Sequence, residues 1–253
     1  MTYCIADIHG CFDEFLELLE LINFSDNDTL YILGDIIDRG NKNIESLEYV
    51  YNKPNMIYLM GNHEDMMLKF YPGLGKKKDY HWLSQGGHKP LEEIDKAKRR
   101  PETKARWDEL FNWIKERPLY MEVEVGGKLF FLSHAGLNCQ KGDRSDIESL
   151  LAAQDPYDIF WSREVFYEAP GLPGRHCVFG HSATFTIRGN NDCSIWFDEV
   201  HKDKTCIDCG CVYSGALGAL RLDDGAVFHV KSQKKRRGGR GELVVQEHGP
   251  IRF

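Results

Sequence analysis

Five short polar motifs lie along this chain, and each follows an apolar run with the length of a buried β-strand. They are Asp7-Ile-His9-Gly10, Gly34-Asp35-Ile-Ile-Asp38-Arg39-Gly40, Gly61-Asn62-His63-Glu64, Ser133-His134-Ala135-Gly136 and Gly180-His181. In a sheet with parallel strands, ligand-binding residues gather beyond the carboxyl ends of the strands. Side chains far apart in the sequence are therefore expected to meet at one edge of a sheet, which restricts the fold to one built on parallel strands.

The apolar periodicity of the N-terminal region predicts strands that alternate with helices. The predicted buried strands cover residues 2–6, 29–33 and 56–60. The predicted helices cover residues 12–22, 42–52 and 64–71. This βαβαβ order indicates a largely parallel sheet with helical crossovers, as in α/β proteins.

A charged and mostly helical middle region, from residue 72 to residue 118, precedes a second half that is predicted to be rich in strands. The predicted strands cover residues 120–125, 128–132, 176–179, 194–197, 216–222 and 226–230, with a short edge strand at 243–246. Gly126-Gly127 is typical of a hairpin and Asp223-Asp224-Gly225 of a turn. No linker divides the core, so we predict one domain over residues 1–230 and a basic tail over residues 231–253.

Charge and composition exclude several classes of protein. A formal net charge of −7 in 253 residues provides no global positive field that would attract nucleic acid. The N-terminus has no basic segment followed by an apolar one, and no run of 18 apolar residues occurs, which argues against secretion and membrane spanning. The spacing of the eight cysteines suggests no disulfide framework, so we predict a cytoplasmic protein.

Two local clusters have alternative interpretations. The basic tail is predicted to be a solvated segment, with binding of an acidic partner or RNA as the alternative, and its cationic residues are Lys231, Lys234, Lys235, Arg236, Arg237 and Arg240. The spacing of Cys206, Cys209 and Cys211 is open to a zinc or redox interpretation. Since no second pair at zinc-site spacing exists, we favour buried thiols without such a role.

The oxygen and nitrogen donors of the five motifs suit divalent metals. Carboxylate, amide and imidazole ligands in this combination accommodate two such ions, with Mn²⁺ as the first candidate and Fe or Zn²⁺ as alternatives. Two metals about 3.5–4 Å apart form a clamp for the hydrolysis of phosphate esters. The motifs therefore predict a dinuclear metal centre with phosphoesterase chemistry.

The motif series resembles the metal-dependent phosphoprotein phosphatase family, within the calcineurin-like metallophosphoesterase superfamily. The similarity extends from Ile5 to about Asp224. The segments His81-Trp82-Leu83 with Gly86-Gly87, and Trp161-Ser162-Arg163-Glu164, are similar to the bacterial and bacteriophage lambda-type protein phosphatases, and residues 207–213 and 219–222 resemble the family's closing strands. The resemblance implies an α/β fold in which two mixed β-sheets pack as a sandwich flanked by helices.

The resemblance also implies which residues bind the two metals. Asp7 and His9 would bind the first metal, and Asp35 would bridge both. The implied ligands of the second metal are Asn62, His134 and His181. A water molecule activated by these metals would attack phosphorus.

Further residues match the family's catalytic groups. His63 matches the general acid, and Asp38 matches the carboxylate that orients the His63 imidazole. Arg39 and Arg163 match arginines that bind the substrate phosphate, together with Asn62.

The predicted function is removal of phosphate from phosphoserine and phosphothreonine proteins, with phosphotyrosine as a further option. The alternative is a symmetrical bis(5'-nucleosyl)-tetraphosphatase, because close relatives with that activity share nearly all the motifs. Glu64 favours the protein phosphatases, since the tetraphosphatases more often have Asp there. A non-catalytic metal-binding module is disfavoured because no implied ligand, His63 or Arg39 is missing, and RNA end processing through the tail is a weaker option. The expected partner is thus a phosphoprotein or a phosphorylated small molecule. No association with a membrane is expected.

Overall fold

Two β-sheets form the centre of the protein in a computed structural model that describes residues 1–71, 80–143, 145–234, 242–247 and 249–253. The strands are β1 (Thr2–Ile5), β2 (Thr29–Leu33), β3 (Met56–Leu59), β4 (Tyr120–Val125), β5 (Lys128–Ser133), β6 (His176–Phe179), β7 (Trp196–Phe197), β8 (Lys204–Cys206), β9 (Ala216–Arg221) and β10 (Val227–Lys231). The α-helices are α1 (Phe12–Leu21), α2 (Asn43–Tyr51), α3 (Asn62–Phe70), α4 (Tyr80–Trp82), α5 (His88–Ala97), α6 (Pro101–Lys115), α7 (Ile147–Ala152), α8 (Pro156–Trp161), α9 (Glu164–Tyr167) and α10 (Thr184–Arg188). A π-helical turn covers Leu83–Gly87, and a 3₁₀ turn covers Cys211–Tyr213.

The first sheet has the strand order β10-β9-β1-β2-β3. Strands β1, β2 and β3 are parallel, and helices α1 and α2 connect them, which confirms the predicted βαβαβ order. Strand β9 pairs antiparallel with β1, and β10 pairs antiparallel with β9. Because the three parallel strands end at one edge, the motifs that follow them lie at that edge.

The second sheet has the order β4-β5-β6-β8-β7, in which β5, β6 and β8 are parallel. Strand β8 was not predicted from the sequence. It begins with Lys204, whose fully buried Nζ lies 2.7 Å from Asp198 Oδ2 and 2.6 Å from Asp203 Oδ1. A three-residue strand that begins with lysine shows no apolar run of the kind that marks a buried strand, and the two carboxylate partners of the lysine are not recognisable as such in the sequence.

Three hydrophobic clusters connect the layers. The cluster between the two sheets includes Leu33 and Leu59 from the first sheet and Leu132 and Val178 from the second. A larger cluster packs the outer face of the first sheet against helices α1, α2, α3 and α6. The third packs the outer face of the second sheet against α7, α8 and α9. This confirms the predicted sandwich of two mixed sheets flanked by helices.

Two strand predictions are wrong, and one is too long. Residues 207–213 form a loop and the 3₁₀ turn, because the backbone adopts the left-handed region at Gly210 (φ 67°). Residues 243–246 contribute a single bridge, between Val244 and Asp192, and no strand. The strand predicted over residues 194–197 shrinks to β7, because Ser194 N–H and Oγ–H both donate to Asp192 Oδ1 in a local turn.

The middle region is helical where the structure describes it. Helix α6 starts at Pro101, where proline occupies the first turn. Residues 72–79 of this region lie outside the described residues, as do Lys235, Arg236, Arg237 and Arg240 of the basic tail. The boundary between domain and tail at residue 230 stays a prediction. Among the described residues, no helix combines the length and apolarity needed to cross a membrane.

Candidate active site

The five motif loops lie together at the edge where the parallel strands of both sheets end. The amide N–H of His9 donates to the Asp35 carbonyl over 2.9 Å, which joins the loops that follow β1 and β2. The amide N–H of His181 donates to Asp7 Oδ2 over 2.9 Å, which joins a loop of the second sheet to a loop of the first. Residues up to 174 positions apart therefore form one continuous surface.

The backbone of these loops is unusual at the predicted site residues. Among the described non-glycine residues with positive φ, six are predicted site residues: Asp7 (52°), His9 (47°), Asp35 (53°), Asp38 (77°), Arg39 (65°) and His181 (65°). Asp and His enter this left-handed region more readily than most residues do, at a cost of roughly 1–3 kcal/mol each. The loops thus carry backbone strain that the surrounding hydrogen bonds hold in place.

A first group of donor atoms surrounds Asp35. The Nδ1–H of His9 donates to the Ile37 carbonyl over 2.7 Å, so its Nε2 carries a lone pair. That Nε2 lies 3.5 Å from Asp35 Oδ2 and 3.9 Å from Asp7 Oδ1. Burial, and then the Arg39 guanidinium, lower the pKa of His9 well below its usual value, so the imidazole is neutral.

A second group shares Asp35 with the first. The Nδ1–H of His134 donates to the Leu33 carbonyl over 2.8 Å, and burial lowers the pKa of His134 to about 4. Its Nε2 lone pair faces Asn62 Oδ1 at 2.7 Å and Asp35 Oδ2 at 3.5 Å. His181 Nδ1 lies 3.0 Å from the same Asn62 oxygen. Oxygen and nitrogen lone pairs therefore point at one another.

Such convergent lone pairs fit cations. Acceptor atoms at these separations repel one another unless positive charge lies between them, and carboxylate, amide and imidazole donors suit divalent metals. Burial and neighbouring carboxylates, including Asp208, raise the pKa of Asp7 well above its usual value, and burial raises that of Asp35 to about 7. Arg39 Nη1 already contacts His9 Nε2, so a cationic group lies against the first donor group. The donor set therefore fits two divalent ions that share Asp35.

The predicted acid and its orienting carboxylate form a buried pair beside the donor atoms. His63 Nδ1 lies 2.5 Å from Asp38 Oδ2, and His63 Nε2 lies 3.8 Å from Asp35 Oδ2. Burial lowers the pKa of His63 and raises that of Asp38, so the pair holds one proton in its hydrogen bond. The Nε2 atom of His63 is left to face the donor groups.

An open cleft of about 950 Å³ leads to these groups. Asp35, Asn62, His63 and His181 form part of its floor, and its walls include Arg39, Gln85, Trp161, Arg163, Asp208, Tyr213 and Lys234. The guanidinium of Arg163 donates to Ser182 Oγ over 3.0 Å, and that of Arg39 lies 5.3 Å from the centre of the Tyr213 ring. Both arginines of the sequence prediction therefore face the cleft.

The family follows from comparison with known proteins. The family model of the calcineurin-like phosphoesterases matches residues 2–184, which is more than half of the chain. The chain belongs to the calcineurin-like phosphoesterases. The family predicted from the motifs is confirmed, and the protein is a hydrolase of the metallophosphoesterase type with donor clusters for divalent metals.

This phosphoesterase has close sequence relatives among tetraphosphatases. The symmetrical bis(5'-nucleosyl)-tetraphosphatase of Salmonella paratyphi C is 32% identical over 96% of this chain and 99% of the relative. The same enzyme of Salmonella typhimurium is also 32% identical, with the same coverage.

Solved structures of other phosphoesterases share the fold. A candidate diadenosine tetraphosphatase, 18% identical, covers 92% of this chain and 94% of its own, with a TM-score of 0.60. A protein serine/threonine phosphatase from Saccharomyces cerevisiae, 16% identical, covers 94% of this chain and 81% of its own, with a TM-score of 0.51. At such identities the likeness shows the fold alone.

Trp82 holds the Asp38 carboxylate of this phosphoesterase, a role that no sequence motif indicated. Its buried indole N–H donates to Asp38 Oδ2 over 2.8 Å, and a side chain on Gly87 would collide with the indole ring at 2.4 Å. Gly86 has a φ of 111°, and a side chain there would lie 2.6 Å from Arg39 Cγ. The π-helical turn thus packs directly on the Asp38–Arg39 loop.

Trp82→Phe is expected to lower the free energy of unfolding by about 1–3 kcal/mol beyond the loss of ring area, because the buried Asp38 carboxyl loses a donor. The matched control is Trp107→Phe, since the equally buried Trp107 Nε1 has no hydrogen-bond partner among the described residues. Urea unfolding of both variants measures the difference. Equal losses of stability would show that the indole N–H contributes nothing.

Glu64 organises the Asp35 loop of this phosphoesterase. Its Oε2 accepts the N–H groups of Asp35 and Gly61, each at 3.0 Å, and its Oε1 accepts those of Ile36 (3.0 Å) and Ile37 (3.3 Å). The carboxylate is fully buried beneath the loop. Glu64 therefore positions the loop that carries Asp35, and it is not among the residues that line the cleft.

Glu64→Gln is expected to weaken metal binding by roughly 10–100-fold, the usual effect of losing a partner that orients a ligand. Either orientation of the amide would direct its NH₂ at two backbone N–H groups. Competition with a chelating indicator measures the affinity, and Glu109→Gln on the exposed side of α6 is the control. An unchanged affinity would mean that the Asp35 loop keeps its shape without the carboxylate.

Sequence reasoning also missed Asp208. This buried carboxylate lies two residues after β8, at the same edge as the motif loops, and its Oδ1 accepts the Gly210 N–H over 2.9 Å. Its charge contributes to the raised pKa of Asp7. The rule that placed the other motifs would have found Asp208 if β8 had been recognised as a strand.

Proposed function

We propose that this phosphoesterase hydrolyses dinucleoside tetraphosphates symmetrically, to two nucleoside diphosphates. The lining of the cleft carries the proposal, because Arg39 and Arg163 share it with the donor residues and with the aromatic residues Trp161 and Tyr213. Arginine binds phosphate oxygens in pairs, and aromatic rings accept planar bases. The 32% identity to symmetrical tetraphosphatases over nearly the whole of both chains supports the same substrate.

The proposed reaction exchanges one P–O bond for another. A water oxygen bonds to one of the two central phosphorus atoms, and the bond from that phosphorus to the central bridging oxygen breaks. Each half of the substrate leaves as a nucleoside diphosphate. Two divalent metals would lower the pKa of the attacking water and neutralise phosphoryl charge, and their ligands would be Asp7, His9, Asp35, Asn62, His134 and His181.

The chain's own side chains take the remaining roles in this proposal. Arg163, held by Ser182, binds the phosphoryl oxygens from one wall of the cleft. Arg39, which contacts His9, would face the phosphate instead if a metal were bound at His9, since like charges repel. The phosphoryl charge raises the pKa of His63, and its Nε2–H then protonates the leaving oxygen while Asp38 holds Nδ1–H.

Phosphoprotein hydrolysis, the function first predicted from the motifs, loses its main argument. That preference relied on Glu64, and the structure places Glu64 beneath the Asp35 loop rather than in the cleft. The residue cannot contact a substrate and so cannot choose between two substrate classes. Phosphoprotein hydrolysis therefore remains the competing hypothesis, which the assay described next tests.

A parallel assay tests the proposal. With Mn²⁺ present, diadenosine tetraphosphate and a phosphoserine peptide are supplied at matched concentrations, and kcat/KM is measured for each. We expect kcat/KM to be at least about tenfold higher for the tetraphosphate, a difference of roughly 1.4 kcal/mol in transition-state binding. Chromatography should show nucleoside diphosphate as the only product. A higher kcat/KM for the peptide, or release of mono- and triphosphates, would contradict the proposal.

A further inference from the structure

A line of three rings leads from the mouth of the cleft to the predicted metal ligands. The Tyr157 and Trp161 rings, one helical turn apart on α8, stack with centroids 6.1 Å apart and planes inclined by 23°. The Trp161 ring then meets the His181 ring edge to face, with centroids 5.7 Å apart. Planar aromatic surface therefore continues up to the floor of the cleft.

The position of these rings is fixed by how α8 folds. Asp155 caps the helix by accepting the Asp158 N–H, and Pro156 occupies its first turn. Ile159 packs into the cluster on the second sheet and Phe160 is also buried, whereas Tyr157 is exposed. The short, capped helix thus exposes the Tyr157 ring and leaves the Trp161 ring partly buried at the cleft.

Exposed aromatic surface is concentrated here in the described part of the chain. Its strongly exposed large hydrophobic residues include two aromatic ones, Tyr157 (69% exposed) and Tyr213 (45%). Tyr213 lines the cleft itself, and Tyr157 stacks on the cleft residue Trp161. Most other aromatic rings in this part of the chain pack into the three hydrophobic clusters, and Trp161 itself is partly buried against the first of them.

We propose that Trp161 and Tyr157 form a stacking site for one nucleobase of the substrate, an inference that rests on the proposed function. Arg163 follows Trp161 by two residues and faces the same cleft, so a base on the Trp161 ring would have its phosphates beside a guanidinium. The T-shaped contact with His181 places those phosphates next to the donor atoms. Base, phosphate and reacting bond would then occupy successive positions along the wall.

Variants of the two rings test the site by comparing substrates with and without a base. Trp161→Ala and Tyr157→Ala are assayed on diadenosine tetraphosphate and on inorganic tetraphosphate. Stacking on an aromatic side chain corresponds to roughly 5- to 150-fold in affinity per base. We expect the ratio of kcat/KM for the dinucleotide to that for the inorganic anion to fall within this range, mainly through KM. Tyr157→Phe keeps the ring and should hold the ratio within about twofold.

An equal fall on both substrates would overturn the site, because it would mean that Trp161 only supports His181. Binding of ADP and of inorganic diphosphate by calorimetry separates this result from failure of the proposed function. The wild type could fail to hydrolyse dinucleoside tetraphosphates and still bind ADP more tightly than diphosphate. If Trp161→Ala then removes that preference, the base site is supported and the proposed function is contradicted. If the wild type binds both diphosphates equally, the base site falls.

Discussion

Asp35→Asn is expected to abolish metal-dependent hydrolysis of an aryl phosphate without unfolding the chain. Asp35 Oδ1 accepts the His63 N–H over 3.0 Å, so the amide oxygen would keep that place and the NH₂ would replace Oδ2. That NH₂ would face the Nε2 lone pairs of His9 and His134, each 3.5 Å away, and would occupy both with hydrogen bonds. Losing a group that only orients a metal ligand typically lowers metal affinity or activity by about 10–100-fold. Losing the predicted bridging carboxylate itself should therefore lower activity by more than about 10²-fold.

Stability measurements sharpen this test. Metal at about 100 times its dissociation constant should stabilise the wild type by about 2.7 kcal/mol and leave the variant unchanged. Without metal, the variant should be at least as stable as the wild type, because it no longer buries a carboxyl whose pKa is raised to about 7. Asp108→Asn, at an exposed position of α6, is the control. Retained turnover or retained metal stabilisation would remove Asp35 from its bridging role.

His63→Asn is expected to lower turnover of alkyl phosphates by roughly 10²–10⁴-fold, the usual contribution of a general acid. The effect should be much smaller for a dinucleoside tetraphosphate, because a nucleoside diphosphate is a stable leaving anion that needs little protonation. Metal content should be unchanged, since His63 Nδ1 is engaged by Asp38 and lies outside the implied ligand set. Turnover of both substrates and the bound metal are measured on the same preparation.

His88→Asn, at an exposed position of α5, controls for the loss of an imidazole. If His63→Asn loses its metal, His63 is a ligand or a structural support rather than the acid. If both substrates slow equally, protonation of the leaving oxygen is not what His63 provides.

The sequence predicted the parts of the fold that follow from local pattern. Apolar runs ending in Asp7, Asp35 and Asn62 identified the parallel strands, since a buried strand needs such a run and its carboxyl end is where polar groups can gather. The same logic failed at β8, because this short strand begins with Lys204 and shows no apolar run, and the partners Asp198 and Asp203 become evident only in three dimensions.

That the motif residues meet at one edge was predictable, because each motif directly follows a strand. The supporting groups were not, because their roles depend on contacts across long stretches of sequence. Trp82 reaches Asp38 across 44 residues, and Glu64 reaches Asp35 across 29. An indole N–H or a buried carboxylate has no sequence pattern that reveals its partner. The sequence suggested that Glu64 indicates the substrate class, whereas in the structure Glu64 shapes the Asp35 loop.

The donor atoms are divided between the two sheets, and this division has a consequence for metal choice. Asn62 follows a strand of the first sheet and His134 a strand of the second, yet their donor atoms are 2.7 Å apart. The interface packed by Leu59, Leu132 and Val178 therefore sets the distance between these donor atoms. A methyl group gained or lost there would shift one sheet against the other by a fraction of an ångström. Evolution or design could thus retune the preferred ionic radius through residues that never meet a metal, a substrate or water.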